Sequence, residues 1–173
     1  MDGLGPLVEG APSPVTEQLI FALTLAAALG CGLNAGVFFA FSAFVMKALA
    51  RLPPPQGIAA MQSINILAVT PLFMTALFGT ALLCLPLVVI SVMTWGDYRA
   101  PWLLAGSALH LGGNILVTMV CNVPLNNALA AADPSTEAGA ALWRRYLAEW
   151  TGWNHLRTIT GLLALASFIQ ALV

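Results

Sequence analysis

The chain has 173 residues, of which 60% are hydrophobic and 8% charged, with a formal net charge of −1 and a mean hydropathy of +0.89. A soluble domain carries about a quarter charged residues, so the composition excludes a water-soluble fold and makes the lipid bilayer the expected partner. It also argues against nucleic-acid binding, which requires a basic patch.

Residues 1–16, MDGLGPLVEGAPSPVT, are rich in Gly and Pro and read as a flexible tail before a bundle formed by residues 17–173. The first apolar run, Gln18 to Ala48, holds no charge until Lys47, and the prolines at 53–55 stop it. LGC at 29–31 faintly resembles a lipoprotein cleavage box. No basic segment precedes it, so the first helix is expected to stay uncleaved. The second run, about Ile58–Thr94, exceeds the ~20 residues a span needs. Its opening IAAMQSIN is expected at the interface, with kinks at Pro71 and Pro86.

The third run begins at Pro101, suited to a first helical turn, and is expected to end near Val123 because Pro124 follows. ADPSTE then reads as a turn with Ser135 or Thr136 as cap. From Ala138 a helix at the interface leads toward the last span, Trp153–Val173. The expected fold is all-α: a four-helix transmembrane bundle with an interfacial helix before the last span.

Lys47, Arg51, Arg144, Arg145 and Arg157 fall on the first and third connections, whereas Arg99 on the second is offset by Asp97. The positive-inside rule therefore predicts cytoplasmic first and third connections and outward termini, as in a bacterial inner membrane. Cys31, Cys84 and Cys121 lie in apolar runs and read as packing residues, not disulfides or zinc ligands.

Polar side chains within such a bundle turn inward. Asn34, His110 and Asn114 fall near the midplane. They read either as interhelical hydrogen bonds or as the floor of a cavity with a titratable imidazole. Asn65, Asn122 and Asn126 gather at the cytoplasmic end. On one continuous helix, Trp143, Trp150, Asn154, Arg157, Thr158 and Gly161 share a sector of about 100°, with His155 on its flank. An aromatic belt explains Trp143 and Trp153, and an arginine alone would snorkel. Asparagines converging from several spans suit instead a pocket for a neutral or anionic oxygen-bearing ligand. GVFFAFSAF at 36–44 reads as core packing or as the wall of such a pocket. With no carboxylate inside the spans after Glu17 and no cluster of ligating side chains, neither a metal site nor an acid-based proton relay is expected.

Three stretches carry a family resemblance: GLNAGVFFAFSAFVMKALARLPPPQGIAAMQSIN, NVPLNNALAAADP, and W-x6-W-T-G-W-N-H-L-R-T from Trp143. Together they resemble the anthrone oxygenase-like family of small four-span membrane proteins. The positions that match are Asn65, Asn122, Asn126, Trp143, Trp150, Asn154, His155 and Arg157. The resemblance implies a helical membrane bundle and, in some members, oxygenation of an anthrone to an anthraquinone without a cofactor. It casts His155 as base, Arg157 and the asparagines as oxyanion partners, and Trp150 as a stacking wall. The expected ligand is a small aromatic or lipophilic molecule. A non-catalytic module that binds such a molecule, or a subunit of a membrane assembly, is the alternative, and oligomerisation is left open. A transporter is disfavoured by the missing acids and the lack of internal symmetry.

Overall fold

The computed structural model describes residues 13–173, which form helices and connections; most of the expected N-terminal tail lies outside the described residues. Ser13 accepts a hydrogen bond from the Thr16 amide at 3.2 Å and Pro14 occupies the first turn, so α1 starts at Pro14 and runs to Leu49. The proline triplet does two things: it stops the chain after α1, and Pro54 and Pro55 open α2, Pro54–Ala68.

The second run is not one kinked helix. Thr70 is extended (φ −93°, ψ 152°) and its side chain accepts from the Phe73 amide, because a residue before proline avoids the helical region and threonine caps well. Pro71 therefore begins a separate helix, α3, Pro71–Met93, while Pro86 stays inside it. The third span, α4, Ala100–Ala130, also departs from expectation: it passes through Pro124. Wide π-turns at Leu109–Leu116 and Thr118–Asn122 precede the proline. They loosen the tight i to i−4 register that its ring and missing N–H would break.

Thr136 caps the last helix by accepting from Gly139 N at 3.0 Å. This α5 is continuous over Glu137–Leu172; Thr151–Gly152 does not interrupt it. Its 36 residues reach ~54 Å, against a ~30 Å hydrocarbon core, so its first turns extend into the interface.

Four helices, α1, α3, α4 and α5, are long and apolar enough to cross a membrane. No more than 39% of the most apolar window of any of them is buried inside the protein. The outward faces, such as Leu25, Leu29 and Leu33 on α1, are exposed and apolar, which only lipid solvates well. The chain is an integral membrane protein.

Two apolar cores fill the bundle. One joins Ala27, Cys31, Cys84, Leu87, Leu103 and Phe168 from all four spans. At the other end α2 leans in, and Ile58 and Met61 pack with Met46, Leu129, Trp143 and Tyr146. Gln62 fixes α2 there by donating to the Leu129 carbonyl at 2.8 Å.

Small residues set the helix crossings. A Cβ at Gly106 would meet the Phe168 ring at 2.8 Å, and one at Gly57 the Trp143 indole at 2.9 Å. Phe168 is fully buried and has nowhere to move. Gly106→Val should therefore destabilise the α4–α5 contact by about 1–3 kcal/mol, read as a lower Tm in detergent. An unchanged Tm would mean the helices are not this close.

The two ends differ in charge. Between α3 and α4, Arg99 donates to Glu17 and to Asp97, each at 2.6 Å. Its guanidinium holds the Asp97 carboxyl below the usual carboxylate range. The opposite end carries Lys47, Arg51, Arg144 and Arg145.

Candidate functional site

A group of buried polar residues meets between the two apolar cores: α5 supplies Asn154 and Arg157 from a regular helix, while α1 and α4 bring theirs through irregular turns. In α1 the π-turn Phe41–Val45 leaves Ser42 and the Phe38 carbonyl facing α5. Asn154 donates to both, at 2.8 and 2.7 Å. In α4 the π-turn Thr118–Asn122 presents Thr118 to Arg157. Wide turns of this kind re-aim side chains without ending a helix.

Arg157 is the centre of the arrangement and only 5% exposed. It sits fifteen residues, ~22 Å, from the C-terminal end of α5, within the depth of a bilayer. Its Nη2 donates to Asn154 Oδ1 at 2.8 Å and its Nη1 to Thr118 Oγ1 at 3.1 Å. Its guanidinium carbon stands 4.2 Å from the centre of the Phe38 ring and 5.1 Å from that of Trp150, close enough for cation–π attraction. Among the described residues no carboxylate pairs with it, and its Nε has no hydrogen-bond partner. An arginine that merely anchored the helix would reach for the headgroups; this one is turned inward.

Beside it lies a cavity of about 470 Å³, within the ~300–1,000 Å³ of small-molecule sites. Its walls are mostly apolar: Phe38, Phe41, Met61, Phe73 and Leu77 among others. Asn65, Thr118, Asn126, Trp150 and Arg157 supply the polar lining. Three of these present buried nitrogens without a partner: Arg157 Nε, Trp150 Nε1 and Asn65 Nδ2. All three are donors, so what they want is an acceptor.

An aromatic column backs the site. Tyr146 stacks between Trp143 and Trp150, with ring centres 5.7 Å apart in each pair. Its hydroxyl donates to Asn126 Oδ1 at 2.8 Å. Phe41 tilts against Trp150 at 5.6 Å.

The residues anticipated from sequence thus divide into three groups. Asn65, Asn126, Trp150 and Arg157 line the cavity, with Asn154 directly behind Arg157. Asn122 ties α4 to the Trp150 carbonyl at 3.2 Å, and Trp143 is buried under Gly57; both support the wall from outside.

The third group lies apart from the cavity lining. Asn34 donates to the Gly30 and Ala76 carbonyls. His110 lies 3.5 Å from Cys31 Sγ and 3.4 Å from the Leu77 carbonyl, and Asn114 sits by Gly161. Asn34 and His110 thus bridge helices, whereas neither polar atom of the Asn114 side chain has a hydrogen-bond partner among the described residues. His155 is exposed and does not line the cavity: it is one residue past Asn154, about 100° round the helix, and so points away from the site. Ser42, Thr118 and Tyr146 were not anticipated. Tyr146 lay in the sequence pattern, three residues after Trp143 and four before Trp150; for Ser42 and Thr118 there was no signal.

The fold and site define a class: a four-span membrane bundle with an aromatic-walled cavity whose unpartnered donors gather round an arginine that meets no carboxylate among the described residues. The chain belongs to the anthrone oxygenase family, whose family model matches residues 71–167. The match takes in α3, α4 and most of α5, including Asn122, Asn126, Trp150, Asn154 and Arg157, while Phe38 and Asn65 precede it. No curated protein and no solved structure matches the chain.

Proposed function

We propose that the cavity binds a flat, lipophilic, enolisable aromatic ketone of the anthrone kind and promotes its oxygenation by dioxygen. The observation that carries this reading is the set of unpartnered donors beside a buried arginine that meets no counter-ion among the described residues. A ketone becomes an enolate by losing a proton from its methylene carbon, and negative charge then gathers on oxygen. Arg157 Nε–H, the Trp150 indole N–H and the Asn65 amide are suited to receive that oxygen in a site of low dielectric. Phe38, Phe41 and Trp150 provide ring faces against which a planar substrate stacks.

The cavity's role is to stabilise the enolate more than to supply a strong base, since no carboxylate or imidazole is among its lining residues; the proton is taken by water held among the polar lining residues. The electron-rich carbon then gives electrons to dioxygen and forms a carbon–oxygen bond. Loss of water leaves a second carbonyl: one dioxygen is consumed, and one quinone and one water are formed. The charge asymmetry between the two ends supports a cytoplasmic position for the end that holds the cavity.

Oxygen uptake by the purified protein with emodin anthrone tests the reading. Uptake should exceed the spontaneous rate, with one dioxygen consumed per anthraquinone formed. His155→Ala, which alters only an exposed side chain, should stay within about twofold of the parent protein. A rate no higher than the spontaneous one, with the anthrone nevertheless bound, would favour a non-catalytic binding module.

A further inference from the structure

The cavity's rim contains apolar residues at membrane depth. Phe78 on α3 is 41% exposed and Met119 on α4 is 51% exposed, yet both line the cavity. Phe78 follows Pro71 by seven residues, ~10 Å along a helix whose full length of 23 residues is ~34 Å. With a hydrocarbon layer of ~30 Å, that lip faces acyl chains and not water.

The packing of α3 and α4 agrees. They lie against each other from Thr80 to Met93 and Ala100 to Leu116, but Pro71–Gly79 and Thr118–Ala130 make no comparable contact. Toward the cavity the two spans part, and α2 closes the end of the gap by packing on α4 and α5.

We propose that the cavity is filled from within the bilayer, through a lateral opening between α3 and α4 whose lips are Phe78 and Met119. The occupant is a lipophile dissolved among the acyl chains, which slides inward until its oxygen meets Arg157. The proposed substrate gives this route its purpose, but the route itself stands whether the occupant is oxygenated or only bound.

Thiol labelling tests access without any ligand. Thr118→Cys, in a background where Cys31, Cys84 and Cys121 are replaced by serine, puts a single thiol on the cavity wall. In proteoliposomes, pyrenylmaleimide, which partitions into the bilayer, should label it, and a charged water-soluble maleimide should not. Adding Met119→Trp or Phe78→Trp should slow pyrenylmaleimide labelling about tenfold. Two lips are varied so that misfolding of one variant is recognised from the other. Labelling by the charged reagent from water, or an unaltered rate in both tryptophan variants, would overturn the lateral route. Neither result bears on oxygen uptake, so failure of the route and failure of the proposed chemistry are distinguishable.

Discussion

Arg157→Met is expected to lower the rate of anthrone oxygenation by about 10²–10³, the cost of removing one principal donor to a developing oxyanion, while leaving Tm unchanged or raised. The second half of that expectation follows from burial. A desolvated cation costs several kcal/mol, and exchange for an apolar side chain of similar length removes that cost. Against this, Asn154 Oδ1 and Thr118 Oγ1 lose the donors that now reach them at 2.8 and 3.1 Å; the amide oxygen left unsatisfied costs about 1–3 kcal/mol and the hydroxyl, which can turn to donate elsewhere, less. The desolvation saving is the larger, so the variant should be inactive and no less stable. A scaffold arginine would behave in the opposite way, with stability falling and any activity little changed. Oxygen uptake and thermal denaturation of the same preparation read both quantities.

Asn154→Ala should show the reverse balance, with stability and activity lost together. Asn154 joins α1 to α5 through Phe38 O and Ser42 Oγ and orients Arg157 through Oδ1. Truncation removes the cross-helix donor to the Phe38 carbonyl, which keeps its own Phe41 amide, and leaves a guanidinium N–H unpaired in the interior. At about 1–3 kcal/mol per buried group, the loss is about 3 kcal/mol, visible as a marked fall in Tm. The Asn154→Ala, Arg157→Met double variant should be less damaged than the sum of the two single changes, since the guanidinium left unpaired by the first is removed by the second. Strict additivity would show that the two side chains do not act as a unit.

The contrast between these residues also shows what was legible beforehand. The four spans followed from run length, and the inward face of α5 from helical spacing: Trp143, Trp150, Asn154 and Arg157 are all buried. Asparagine convergence was legible too, because amides gain nothing from facing lipid; Asn65 and Asn126 do line the cavity. Depth along the runs already set Asn34, His110 and Asn114 apart from that group, but whether they floor the cavity or join helices depended on backbone geometry.

The irregular turns escaped the sequence. Periodicity at 3.6 residues contains no sign of a π-turn, and these turns bring Ser42 and Thr118 into the site and let α4 pass Pro124. The break at Val69–Thr70 was hidden inside an unbroken apolar run, although Thr70 before Pro71 carried the local cap chemistry. His155 is adjacent in sequence to the buried Asn154, but a one-residue step on a helix suffices to put its imidazole outside the cavity.

The central claim is that the arginine-centred cavity stabilises the anion of an enolisable ketone. The most direct test is an absorbance titration of emodin anthrone with the protein under strict anaerobiosis, at a pH where the free compound remains in its keto form. The account predicts that bound anthrone takes on the spectrum of its enolate with the parent protein and keeps that of the ketone with Arg157→Met. Binding without the enolate spectrum, or the same spectrum in both proteins, would contradict it.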